Sequence, residues 1–144
     1  MTTAVSAVVA AMVAALQAGP SVSPQVHRSR LRPMAADWST AVVVRPLAVA
    51  FEPFAIRYGP FNLDTQIAVE CYARAGAALA GDLAVDALVQ AVYARLMSDT
   101  TLGGLVGDMR PDRLDFDIDA DGENTACATF TFTVLHSAVN NTLE

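Results

Sequence analysis

Residues 62–74 read N-L-D-T-Q-I-A-V-E-C-Y-A-R, and their alternation decides the fold. Leu63, Thr65, Ile67, Val69, Cys71 and Ala73 fall on one side of an extended chain. Asn62, Asp64, Gln66, Glu70, Tyr72 and Arg74 fall on the other, with Ala68 as the exception. Strict period-two alternation describes a strand with one face on a core and one polar face. At about 3.3 Å per residue it is about 40 Å long, well beyond the usual strand. Such a strand bends or reaches past its own sheet.

Downstream, the period changes to that of a helix. Val85, Leu88, Val89, Val92 and Leu96 form one stripe over residues 82–98, with Asp82 as the expected N-cap. Asp86, Gln90 and Arg95 are expected to face water. A glycine-punctuated loop follows at 99–110. Then Leu114, Phe116 and Ile118 alternate with Arg113, Asp115, Asp117 and Asp119 up to an Asp121-Gly122 turn. The return strand covers 125–136, with Ala126, Ala128, Phe130, Phe132 and Val134 facing one way and Thr129, Thr131 and Thr133 the other. Residues 137–144 read as a loose polar tail.

Upstream, Val5, Val8, Val9, Met12 and Leu16 predict a helix over 3–18, capped by Thr2 or Thr3 and ended by Gly19-Pro20. Its run is too short to span a bilayer, which takes about 20 residues. No basic residue precedes it and no clean cleavage site follows, so it reads as a buried helix rather than a signal peptide. Residues 26–32 suggest a strand with Arg28, Arg30 and Arg32 on one face. The favoured reading is a solvated edge; the other is contact with an acidic neighbour or with DNA. A β-branched strand is expected at 39–45, continuing in extended form to residue 51, with Pro46 and Pro53 breaking the pairing. Tyr58-Gly59-Pro60 reads as a turn, and Trp38 as a packing anchor before the strand. The order helix, strands, helix, hairpin gives an α+β fold, a mostly antiparallel sheet flanked by two helices, in a single domain over 1–144.

Composition narrows the function. Net charge is -6 and every one of the nine cationic residues is Arg. This acidic balance argues against a nucleic-acid binder, whose affinity comes from basic groups on phosphates. Charged residues are 17% of the chain, below the usual share of about a quarter, which suits a surface partly covered by neighbouring subunits. Cys71 and Cys127 fall on opposite strand faces and are expected as free thiols, and no Cys/His cluster indicates a metal.

The run Asp117-Ile118-Asp119-Ala120-Asp121-Gly122 matches the first half of an EF-hand loop. The bidentate Glu that such a loop needs falls at Ala128, and strands replace the flanking helices, so a hairpin turn is the better reading. His27 and His136 have no nucleophile partner, and no elbow, zinc or phosphate-loop motif occurs. No catalytic residue, metal site or cofactor is expected.

Three stretches carry a family resemblance: V-D-A-L-V-Q-A-V-Y-A-R-L at 85–96, S-D-T-T-L-G-G-L-V at 98–106, and D-F-D-I-D-A-D-G-E-N at 115–124 followed by A-T-F-T-F-T-V-L-H at 128–136. In this order they resemble the tail-terminator and tail-completion proteins of long-tailed bacteriophages, over residues 62–140. The resemblance implies a tail-tube-like fold and a homo-hexameric ring. Such a ring caps the tail tube, stops polymerisation and presents a surface to the head-side connector or stopper protein. It implies a virion location at the head-tail junction, reached from the host cytoplasm, and genome DNA passing through without specific binding or a membrane. Leu102, Leu105, Val106 and Met109, with the Ala-rich side of the first helix, are the candidate ring interface. Asp115, Asp117 and Asp119 are the candidate acidic lining of the lumen. The alternatives are a neck-ring subunit of the same particle and a small cation-binding module.

Overall fold

The computed structural model describes residues 2–31, 34–53, 61–76, 79–118, 124–138 and 143–144. The elements in order are α1 (Ala4–Gln17), β1 (Val26–Arg28), β2 (Thr40–Pro53), β3 (Phe61–Arg74), α2 (Gly81–Met97), β4 (Asp108–Asp117) and β5 (Thr125–Ala138). They form one five-stranded sheet in the order β1-β2-β3-β5-β4. β1 runs parallel to β2, and every other neighbouring pair is antiparallel. This is the α+β architecture that the alternation predicts.

The long strand stays within its sheet because its neighbours are equally long. β2, β3 and β5 each have 14 residues, and β3 is paired with β5 along its whole length. Both helices lie on one face. Val8, Val9, Met12 and Leu16 of α1 and Val85, Leu88, Val92 and Leu96 of α2 close on Val42, Val44, Ile67, Val69, Phe130, Phe132 and Val134 of the strands. A smaller cluster on the opposite face joins Ala41, Val43, Tyr72 and Cys127 beneath Met34 and Trp38. The sequence expectation of a single core face therefore holds along β3 only in part. Ala68, Glu70 and Tyr72 are buried too, on the helix-free side.

Local chemistry explains where the elements start and stop. Thr3 caps α1, its Oγ1 accepting the Ser6 N–H at 3.1 Å. At the other end of α1, Arg95 does not face water as expected. Its guanidinium donates to the carbonyls of Ala15 (2.9 Å), Ala18 and Pro20 (2.5 Å). A cation there satisfies the orphan carbonyls and the negative end of the helix dipole, and ties α2 to α1.

α2 begins at Gly81, one residue before the expected cap, and Asp82 lies in its first turn, where a carboxylate still suits the dipole. The start is set by packing. A Cβ on Gly81 would lie 2.8 Å from Ile118 Cγ2 and 3.4 Å from the Ala126 Cβ.

Four further expectations are corrected. β1 is three residues long, since Ser29 turns away with φ 46°. Pro46 does not break β2, which runs through it to Pro53 with an irregularity between Pro46 and Ala48. β1 pairs only as far as Val44, so Pro46 sits where the described edge of β2 is open and a missing N–H costs little. β4 begins at Asp108, not Arg113, and carries Pro111 and a second irregularity on the outer edge of the sheet. The C-terminal residues are docked rather than loose where described: Leu143 accepts the Ala4 N–H at 2.6 Å. The expected turns at 58–60 and 121–122, with Arg32, lie outside the described residues.

Candidate assembly surfaces

One loop, the strand that follows it and one sheet face carry the candidate residues. The loop at 98–107 is shaped by Asp99. Its carboxylate accepts the Thr101 N–H (3.0 Å), the Thr101 hydroxyl (2.7 Å) and the Gly103 N–H (2.7 Å). These bonds, the Thr101 hydroxyl foremost, hold its pKa below the ordinary value. Leu102, Gly103 and Gly104 then have φ of 50°, 71° and 87°. Two glycines are needed because L side chains rarely adopt this region. Leu102 tolerates it with its side chain partly buried against the core.

The four loop residues expected at an interface separate. Leu105 is 48% exposed. Val106 and Met109 are buried, Met109 to 1% exposure within the core shared with Val134 and Phe132. The apolar periodicity of L-x-x-L-V-x-x-M could not tell an outward leucine from inward neighbours, because the loop reverses direction at the glycines.

Behind Leu105 lies a cleft of about 700 Å³, lined by Asp64, Gly104, Gly107, Arg110, His136 and others. His136 is buried and its Nε2 lies 2.7 Å from Thr65 Oγ1, while Nδ1 is buried with no hydrogen-bond partner. Burial lowers its pKa, and the Asp64 carboxylate opposes that only in part. The sequence shows no nucleophile partner for His136. The register pairing Leu63 with His136 and placing Thr65 one step along the same face was the missing signal.

The helix-free face is polar but ordered. Thr129, Thr131 and Thr133 of β5 run beside Glu70, Ala68 and Gln66 of β3. The Arg45 guanidinium donates to one Glu70 oxygen and the Tyr72 hydroxyl to the other (2.7 Å). Thr133 donates to Asp112. Asp115 and Asp117 lie at the β4 edge of this face, both exposed, with Arg113 2.8 Å from Asp115. Asp119 is outside the described residues.

Cys71 faces the helices and Cys127 the other side, so the two thiols are free as expected. Burial pushes both thiol pKa values up. Among the described residues no group of His, Cys, Asp and Glu is placed to hold a metal ion. No described helix is long and apolar enough to cross a membrane.

No family model and no curated protein matches the sequence. The fold does have counterparts. A chain from the virion of a native gene transfer agent particle superposes with a TM-score of 0.58 at 18% identity, over 90% of this chain and 93% of that one. The sheath/tube terminator of an extracellular contractile injection system (PVC), in its extended state, gives a TM-score of 0.48 at 14% identity. That superposition covers 97% of this chain and 58% of the other. The first superposition shows that the chain shares the fold of that virion chain over 90% of its length.

Proposed function

We propose that this chain is a structural subunit of a tailed-phage-like particle that caps the tail tube as a ring of six, ends tube polymerisation and offers the surface to which the head attaches. The observation that carries the reading is the near full-length fold shared with a gene transfer agent virion chain. It is joined by the ordered motif resemblance of residues 85–136. In this reading the helix layer faces outward and the helix-free face of the sheet looks into the ring. Asp115 and Asp117, with Asp119, give the lumen wall an acidic balance that repels DNA phosphates and lets the genome pass without sticking. Leu105, exposed on a loop fixed by Asp99 and two glycines, contacts a neighbouring subunit. The proposed partners are further copies of the chain, the tail-tube protein and the head-side connector or stopper, in the virion at the head-tail junction.

Electron microscopy of a lysate lacking the gene tests this. The expected result is filled heads beside unjoined tails with overlong or irregular tubes. Intact infectious virions overturn the proposal. Heads that have lost their DNA beside tails of normal length also overturn it, in favour of a neck-ring subunit.

A further inference from the structure

Two helices share five strands, and one strand is left at the rim of the helix layer. α1 packs on β1 and β2, and α2 on β3 and β5. Neighbouring strands lie about 4.8 Å apart and a helix with its side chains is about 10 Å wide, so each helix covers two strands. β4, the outer strand beyond β5, keeps its helix-side residues partly in view. Leu114 and Phe116 stand beside Phe130 and Ala128 of the core face, and Ile118 lies against Gly81 at the start of α2. Leu114 is partly buried, whereas Phe116 is 55% exposed and Ile118 48% exposed.

One flank of α2 forms the wall of this apolar strip. Asp82, Asp86, Val89 and Tyr93 recur at helical spacing and make one row. Tyr93 places that row on the β4 side, because its ring stacks on Phe130, the neighbour of Leu114. Arg95 reaches α1 from the other flank. Val89 is partly buried, and Asp82 and Asp86 are exposed. The β4 cations Arg110 and Arg113 belong to the opposite sheet face, beside Thr133 and Thr131. The strip is therefore apolar along its floor and acidic along its wall.

We infer that this strip docks an amphipathic helix of a partner protein, with Lys or Arg along the flank that meets Asp82 and Asp86. A third helix laid beside α2 extends the helix layer by one step. Its apolar stripe covers Leu114, Phe116 and Ile118, and its side meets Val89 and Tyr93. Exposed apolar groups rimmed by charge are the form that such sites take. Two carboxylates of one sign select a basic flank. The helices of a second copy do not supply one. α1 has no charged residue, and Arg95, the one cation of α2, is committed to the α1 carbonyls. The strip lies on the sheet face away from Asp115 and Asp117, so the inference does not rest on the ring reading or its lumen.

The test is fluorescence anisotropy of the purified chain with two labelled amphipathic helical peptides of about 18 residues, long enough to hold a helix. They share one leucine stripe and carry either Lys or Glu along the flank. The Lys peptide should bind about tenfold more tightly than the Glu peptide. Phe116→Ser/Ile118→Ser should abolish binding of both, with circular dichroism as the folding control. Asp82→Asn/Asp86→Asn should remove the preference, and Asp115→Asn/Asp117→Asn should leave it intact. A preference that survives Asp82→Asn/Asp86→Asn comes from the net charge of the chain and overturns the inference. So does equal or absent binding of the two peptides. Sedimentation velocity adds one more outcome: if wild-type chains associate and folded Phe116→Ser/Ile118→Ser chains do not, a second copy covers the strip, and the inference falls while the ring reading stands.

Discussion

The two faces of β5 are made from one stretch of chain and behave as different materials. Ala128, Phe130, Phe132 and Val134 enter the helix-covered core, with Phe130 and Phe132 rings 5.5 Å apart and Tyr93 of α2 stacked on Phe130. Thr129, Thr131 and Thr133 line the helix-free face, where order comes from hydrogen bonds such as Thr133 to Asp112 and from the neighbouring Arg45–Glu70–Tyr72 cluster. The first face concentrates apolar burial, which dominates folding stability. The second is a polar surface held by side-chain hydrogen bonds rather than by apolar burial.

The sharpest way to break this comparison is to truncate one residue on each face. Phe132 is fully buried, and Phe132→Ala should cost about 3–5 kcal/mol, from lost transfer energy and a residual cavity. Thr131→Ala, its sequence neighbour on the other face, should cost about 1 kcal/mol or less. Urea unfolding of both variants measures the difference. Equal losses would mean that the helix-free face is a second core.

A subtler test uses the polar residue of the core face. His136 continues the apolar side of β5, and burial holds its pKa below 6.5. The sign follows directly. Between pH 6.5 and the lower folded value, the unfolded chain takes up a proton that the folded chain refuses, so stability falls as pH drops through that window. Above it the contribution is complete. The urea midpoint should therefore be lower at about pH 5.5 than at about pH 7.5, and His136→Gln should flatten that difference. A wild-type midpoint that is the same at both pH values would mean that the imidazole is solvated.

The residues that were legible in the sequence are those whose pattern is local. The period-two alternation of β3 and β5, the stripes of α1 and α2 and the Thr3 cap all follow from neighbours within a few positions. What was not legible depends on distant partners. Arg95 reads as a solvated helix residue until α1 brings its carbonyls alongside. Asp82 reads as the cap of α2, because nothing nearby says that Gly81, packed against Ile118, already belongs to the helix. Pro46 reads as a strand breaker because nothing nearby says that β1 pairs with β2 only as far as Val44. The candidate interface was half legible for the same reason: apolar character is visible in sequence, but the direction of each side chain after a left-handed turn is not.

That half-legible loop gives the smallest effect on stability and the cleanest division of roles. Leu105 and Met109 are similar in size and four positions apart, yet one is half exposed and the other is buried. Leu105→Asp places a charge in water beside a loop already held by Asp99, so the folding free energy should change by less than about 0.5 kcal/mol. If the loop is an assembly surface, the same variant should fail to join tails to heads, because an unpaired carboxylate would be buried against an apolar neighbour. Met109→Asp instead buries that charge within the monomer and should not yield a folded protein. Folded Leu105→Asp protein that complements a deletion strain at wild-type titre would remove the loop from the interface.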